Sequence, residues 1–446
     1  MSDLQMALDQ LNSQADLYET FQNYYKGDHP LNFASDKFKQ KFGKRLQHLR
    51  DNLCKVVVDA PVSRLEVIAF GSDDAQIGDA AWQIWTRNKM QIKSKQIHTN
   101  AFRDGDAYAI VWKDPKVANR AVIFPQDDPA KIAIWRDPET GLKTMAAKWW
   151  TGNDKKVYLT LYYPDRLEKY ISKNEISEAG TITQESEFEQ RSVAGETFPL
   201  KHDLGTVPVF HFSAGDSLLI DVIPLQAGVN KALADLFVGM EFNSIRQRWS
   251  VGISYPVDEE TGKALVPFDP DDQWHTTKNE LGKFGEFSDM TLSETLAVLK
   301  DLRAAIATVS RTPLHFFQLT EGSFPSGEAL KKAEAPFTSR VQDSQLHFGS
   351  EHGEMMACCL KIEGKAETAD LSVEPQWTPA TPVDQKEELE NGILKKQLGW
   401  SNKKIQEDFG LDEKTIEEMA ADVQSQSSAL GSVLGAAFDQ TGAAVQ

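Results

Sequence analysis

Apolar residues recur at helical spacing in three long stretches of the second half of the chain. In the first half they fall mostly into shorter runs. After Pro224, a residue suited to the first turn of a helix, Leu225, Val229, Leu233, Leu236, Phe237, Met240, Ile245 and Trp249 predict one long amphipathic helix, ended by Gly252 and Pro256. The stretch to Met290 carries helix breakers, the turn Asp258–Gly262, the apolar run Ala264–Phe268 and Trp274, and reads as a small β-containing insertion. A second helix opens with the capping box Thr291-x-x-Glu294 and continues through Leu292, Leu296, Leu299, Leu302, Ile306 and Val309. Pro313 and the loop LHFFQLTEGSF (Leu314–Phe324) follow. A third helical pattern then runs from Pro325 to Ile362, with a kink expected at Pro336 because proline lacks the amide proton and crowds the preceding turn.

Upstream, Leu4, Leu8, Leu11, Leu17, Phe21 and Tyr24 predict a helix over residues 4–25, stopped by Gly27 and Pro30. A second covers 35–64 with an interruption at Pro61, and a third covers 74–94 with Ile77, Ala81, Trp82, Trp85 and Met90 as its buried stripe. From Ala107 the pattern becomes that of strands: 107–112, 121–124, a hairpin of 132–135 and 143–150 through Asp137–Gly141, then 156–163 and 166–172. Residues 174–194 are polar and Glu-rich and read as a mobile insertion loop. An α+β region therefore precedes the long helices. Behind them, 369–377 reads as a strand returning to that region, Pro379 and Pro382 mark a boundary, and 383–424 is helical and rich in Glu and Lys. Residues 425–446 are small and weakly polar, and disorder or a short frayed helix is expected there.

The order of these elements resembles a tailed-bacteriophage portal protein, the head-to-tail connector of the long-tailed, Gram-positive-phage-like type. YYKGDHP (Tyr24–Pro30), NLCKVVVDAPVSRLEV (Asn52–Val67), FRDGDAYAIVW (Phe102–Trp112) and VPVFHF (Val207–Phe212) agree with it, over roughly residues 15–420. The resemblance implies a portal fold assembled as a ring of about twelve copies. On that pattern residues 1–222 and 325–380 build an α/β wing, 223–252 and 291–312 the stem helices, and 253–290 a small β-containing clip. Residues 313–324 form the tunnel loop, 383–424 a helical crown, and 425–446 a flexible tail. Tunnel-loop candidates toward DNA are His315, Phe316, Phe317, Gln318, Thr320 and Glu321; the two phenylalanines are equally readable as packing residues. Lys300, Asp301 and Arg303 are stem candidates for the lumen. Glu259, Asp269, Asp271, Asp272 and Trp274 are clip candidates for partner docking. The implied partners are double-stranded DNA in the channel, the large terminase subunit, a head-completion or adaptor protein, and the capsid and scaffolding proteins. The implied place is the portal vertex of the virion, after assembly in the host bacterial cytoplasm.

Composition narrows the alternatives. With 446 residues, 41% of them apolar, the chain can form two or more domains. It shows neither a run of some 18 apolar residues nor a signal-peptide pattern at its start, so no membrane span is expected. Cys54, Cys358 and Cys359 lack metal-ligand spacing and read as small buried residues. A formal charge of −18 disfavours tight phosphate binding, which suits a conduit for a sliding duplex, though it also serves plain solubility. There is no phosphate-binding G-x-x-x-x-G-K-[ST] loop, no G-x-S-x-G and no H-E-x-x-H, so no enzymatic activity and no cofactor is expected, and the packaging ATPase belongs to another chain. His347 and His352 stand about 140° apart on a helix and make a poor metal pair. Asp104 and Asp106 in FRDGDAY read as a turn around Gly105 feeding a strand. Two other classes stay open. One is an oligomeric DNA-binding regulator using the helix-turn-helix-like segment 393–419, against which Asp412, Glu413, Glu417 and Glu418 weigh. The other is an enzyme whose site gathers dispersed residues.

Overall fold

Three apolar cores organise the chain, and the first helix joins two of them. The computed structural model describes residues 2–30, 50–175, 183–191, 197–244, 248–252, 258–261, 281–286, 292–317, 327–367, 371–381 and 385–408, with short pieces at 32–33, 36–37, 39–40, 419 and 421. Helix α1 (Asp3–Lys26) starts where the Ser2 hydroxyl accepts from the Gln5 amide at 3.1 Å and ends at Gly27, whose φ of 82° closes the last turn. Its first half lays Ala7, Leu8 and Leu11 on a sheet, and its second half inserts Phe21 and Tyr24 into a helical core.

Helix α2 (Leu53–Val62) is capped by Asn52 and carries Pro61 in its last turn, where the missing amide removes the bond back to the Val57 carbonyl just before the helix ends. Strand β1 (Val67–Gly71) follows, then α3 (Ala75–Arg87) and α4 (Met90–Asp104). The single helix expected over 74–94 is thus two. Lys89 takes a left-handed φ of 57° between them, and Asn88 fastens the break to a strand by donating to Ala121 O at 3.2 Å and accepting from Ile123 N at 3.1 Å. Gly105 ends α4 with φ 91°, as the turn reading required, and a Cβ there would lie 2.8 Å from Gly215 O.

Strands β2 (Asp106–Lys113), β3 (Ala121–Pro125), β4 (Ile132–Arg136), β5 (Lys143–Thr151), β6 (Val157–Tyr162), β7 (Arg166–Ser172), β8 (Phe188–Gln190), β9 (Leu200–Lys201) and β10 (Val209–Ser213) form two antiparallel sheets. One runs β10-β2-β3; the other runs β4-β5-β6-β7-β8 with β9 on β7. Strand β2 is buried on both faces: Ala107, Ala109 and Val111 join the helical core, while Tyr108 and Ile110 meet Ile132, Ala146 and Tyr162 of the larger sheet. The larger sheet's opposite face, with Met145, Ala147, Leu159 and Leu161, is covered by α1. The segment expected as a loop over 174–194 contains β8, because Phe188 opposes Ser172 and buries its ring in the second core. That one aromatic outweighs the polar surroundings.

Helix α5 (Val222–Ser244) begins two residues before Pro224 and ends earlier than the pattern suggested. Trp249, expected on it, lies in strand β11 (Arg248–Val251), which pairs with β12 (Lys283–Glu286). The Trp249 indole crosses Gly285, where a Cβ would stand 2.4 Å from the ring; this cross-strand seat decides for strand over helix. Helix α6 (Leu292–Val309) packs antiparallel on α5, Gly228 near the start of one facing Leu302 in the second half of the other. Helix α7 (Gly327–Ile362) contains Pro336 and threads the helical core with Phe337, Val341, Phe348, Met355 and Leu360. Strand β13 (Glu374–Trp377) returns antiparallel to β1, within the stretch expected as a strand. All three cysteines are buried, and burial pushes the Cys54 and Cys358 thiols up to about 12.

Residues 1–380 form one compact unit and 381–446 a second. The second carries α8 (Gln385–Gln397) and α9 (Asn402–Asp408), separated at Gly399 with φ 92°. Among the described residues no helix is long and apolar enough to cross a membrane.

Candidate functional site

The α5–α6 pair is held at its base by a buried polar ladder. Gln226 and Asn230 stand one turn apart on α5 and are fully buried. The Gln226 carboxamide accepts from the Leu53 amide at 3.0 Å and donates to Asp51 O at 2.6 Å and to Asn230 Oδ1 at 3.0 Å. Asn230 meets His29 Nδ1 at 3.0 Å, and His29 Nε2 lies 2.7 Å from Tyr24 O. Since a carbonyl only accepts, Nε2 carries the proton and Nδ1 accepts from Asn230. Burial lowers the His29 pKa, keeping the ring neutral. The ladder joins the stretches Tyr24–Pro30 and Asn52–Val67 to the first long helix. Sequence reasoning passed over Gln226 and Asn230; two amides four residues apart beside an apolar stripe were the available signal. Asn230→Leu leaves the His29 nitrogen without its donor and is expected to lower unfolding stability by about 1–3 kcal/mol, read from urea midpoints.

The stretches Phe102–Trp112 and Val207–Phe212 also meet, as paired β2 and β10. Asp106 on β2 accepts from the Tyr18 hydroxyl at 2.7 Å and faces His211 Nε2 at 2.6 Å. Burial pushes this carboxyl up, but the two donors outweigh it and hold the pKa below the usual range. Its neighbour Asp104, paired with Arg103, is pushed up by burial to about 6. These groups brace α1, β2 and β10 together.

The stem candidates divide. Lys300 and Asp301 are exposed, whereas Arg303 Nη2 lies 2.6 Å from Asp51 Oδ2 of its own chain, beside the polar ladder. Phe237, Met240, Leu296, Val298 and Val309 on the same two helices are 43–54% exposed. Exposed apolar residues concentrated on one helix pair are a feature of interaction surfaces.

At the far end of α6, Arg311 adopts φ 48° and a short 3₁₀ turn (Leu314–Phe316) follows. His315 Nε2 lies 3.1 Å from Glu334 Oε1, Phe316 sits 5.8 Å from the Phe337 ring, and Phe317 is buried. The loop's first half is therefore packed on α7. Gln318, Thr320 and Glu321 lie outside the described residues, as do Asp269, Asp271, Asp272 and Trp274. Glu259 is exposed in the turn that Asp258 closes by accepting from Glu260 N at 2.9 Å and Thr261 N at 3.0 Å. The hairpin turn at Asp137 is built the same way, on the shared pattern D-x-E-T-G. Among the described residues no group of three or more His, Cys, Asp or Glu is placed to hold a metal ion.

A family model described as phage portal protein, SPP1 Gp6-like, matches residues 5–428. Portal proteins of Mycobacterium phage L5 and Mycobacterium phage D29 are each 24% identical over 357 residues, covering 74% of this chain and 69% of the relative. Among solved structures, a chain from the neck of an empty GTA particle, computed with C6 symmetry, matches with a TM-score of 0.44 and 10% identity, over 84% of this chain and 94% of that one.

Proposed function

Because this chain belongs to the SPP1 Gp6-like phage portal proteins, a structural family of ring-forming oligomers at a capsid vertex, we propose that it forms a ring of about twelve subunits through which double-stranded DNA is packaged and ejected. The ring has no enzymatic activity of its own. Residues 1–222 and 325–380 make the wing, α5 and α6 the stem, 253–290 the clip, 313–324 the tunnel loop and 383–424 the crown. The large terminase subunit docks on the clip during packaging, and an adaptor protein takes its place afterwards. Capsid and scaffolding proteins surround the wing, and assembly takes place in the host bacterial cytoplasm. The family match includes 393–419, so the helix-turn-helix-like segment is part of the portal chain.

The observation that supports the stem reading is the set of half-exposed apolar side chains on α5 and α6. In a ring, neighbouring stems cover them and leave polar residues such as Lys300 and Asp301 for the lumen. The variant Phe237→Asp with Val298→Asp tests this. Both positions are exposed in the single chain, so its thermal unfolding should change little, while native mass spectrometry should find rings replaced by monomer. Rings of unchanged mass and stability would sink the stem assignment.

A further inference from the structure

A cavity of about 230 Å³ lies where the end of α6 meets α7 and the end of β10. Arg311 and Arg340 line it together with Asp343, Ser344 and His347, over the Phe348 ring. Arg340 donates to Ser310 O, which fixes its guanidinium at the wall. Among the described residues neither arginine forms an ion pair with a carboxylate, although Asp343 shares the cavity. The chain as a whole carries 66 acidic against 48 basic residues, so two adjacent unpaired guanidinium groups run against its composition. Burial, and after it the nearby Arg311, disfavours the charge on Arg340. The volume falls below the usual 300–1,000 Å³ of small-molecule pockets and suits one inserted side chain.

We propose that this cavity receives an aspartate or glutamate side chain of a second copy of the chain, whose carboxylate bridges Arg311 and Arg340. This rests on the ring reading. Guanidinium groups offer paired donors to the two oxygens of a carboxylate, and such charge-assisted contacts are stronger than neutral hydrogen bonds. The acidic chain itself supplies the occupant.

The test uses rings assembled from equal amounts of ¹⁴N- and ¹⁵N-labelled Arg311→Lys protein, treated with a zero-length carbodiimide and digested for mass spectrometry. Lysine is tolerated in the left-handed region elsewhere in this chain, at Lys89 and Lys155. The expected product is a mixed-isotope peptide joining the amine introduced at position 311 to an Asp or Glu. Products of a single isotope only, for example to Asp343, would overturn the proposal, as would intact rings with no cross-link at that amine. Failure of the unsubstituted protein to form rings would instead count against the ring reading. As a second arm, Arg311→Asn with Arg340→Gln should raise the subunit dissociation constant about tenfold or more at equal salt, with unchanged unfolding of the dissociated chain. Rings of normal stability whose DNA transit alone is altered would assign the cavity to phosphate and sink the proposal.

Discussion

Acidification from pH 7.5 to pH 5 is expected to remove a large part of this protein's unfolding free energy, through one pair of buried histidines. His98 on α4 and His352 on α7 place their Nε2 atoms 3.0 Å apart, with both rings wholly buried among Trp85, Phe212, Phe348 and Trp377. Only one of the facing nitrogens can carry a proton, so the other ring is protonated at Nδ1, and neither Nδ1 has a partner. Burial pushes the His98 pKa down to about 3, and burial together with His98 pushes His352 well below its ordinary value. Folded, both stay neutral; unfolded, both take up protons below the ordinary value of about 6.5. Stability is therefore intact above that pH and is lost as pH falls from 6.5 toward 3, by about 1.4 kcal/mol per pH unit for His98, with a further loss in the same direction from His352. Asp104 acts in the opposite sense, because its folded pKa of about 6 lies above the unfolded one and it gains stability on acidification. The double variant His98→Leu, His352→Leu isolates the pair. Its urea midpoint should vary less between pH 7.5 and 5, and an unchanged slope would show that other groups carry the acid sensitivity.

Gly353→Ala should cost about 3 kcal/mol or more, whereas Gly349→Ala, four residues earlier on the same helix, should cost nothing or gain up to about 1 kcal/mol. The two glycines face the same returning segment. At 353 a Cβ would stand 2.2 Å from the Val373 carbonyl oxygen, a backbone atom that cannot turn aside, so the chain leading into β13 would be lifted off α7. At 349 the nearest atoms, of Pro375 and Trp377, are 3.5 Å away, ordinary contact distance, and alanine then favours the helix. Lifting β13 also weakens its pairing with β1 and the cover that Trp377 gives to His98 and His352. Thermal unfolding of the two single variants separates the effects; equal losses at both positions would mean that general helix strain, and not the Val373 contact, decides.

Much of the architecture was legible in the chain itself. Apolar spacing of 3.6 and of 2 states which face of an element is buried, and it located α1, α6, α7, the start of α5 and the strands from Ala107 to Ser172 to within a few residues, while running α5 on past its end at Ser244. Gly27 and Gly105 announced their left-handed caps because few other residues take those angles without strain. The family, too, was readable, since it rests on the order of elements rather than on any one motif.

Only the tertiary structure decided what covers each face. The break at Lys89, the strand at Trp249 and the strand at Phe188 each depend on a partner distant in sequence: Ala121 and Ile123, Gly285, and Ser172. The buried histidine pair joins residues 254 apart, and the ladder at the base of α5 joins Asn230 to His29 across 201. Arg303, one of three similar polar residues on its helix, is tied to Asp51 while Lys300 and Asp301 are exposed, a difference that the local pattern of α6 does not contain. Periodicity records the side of an element that leaves water; the identity of the group waiting there is a property of the folded chain, because it is set by contacts between segments that share no local pattern.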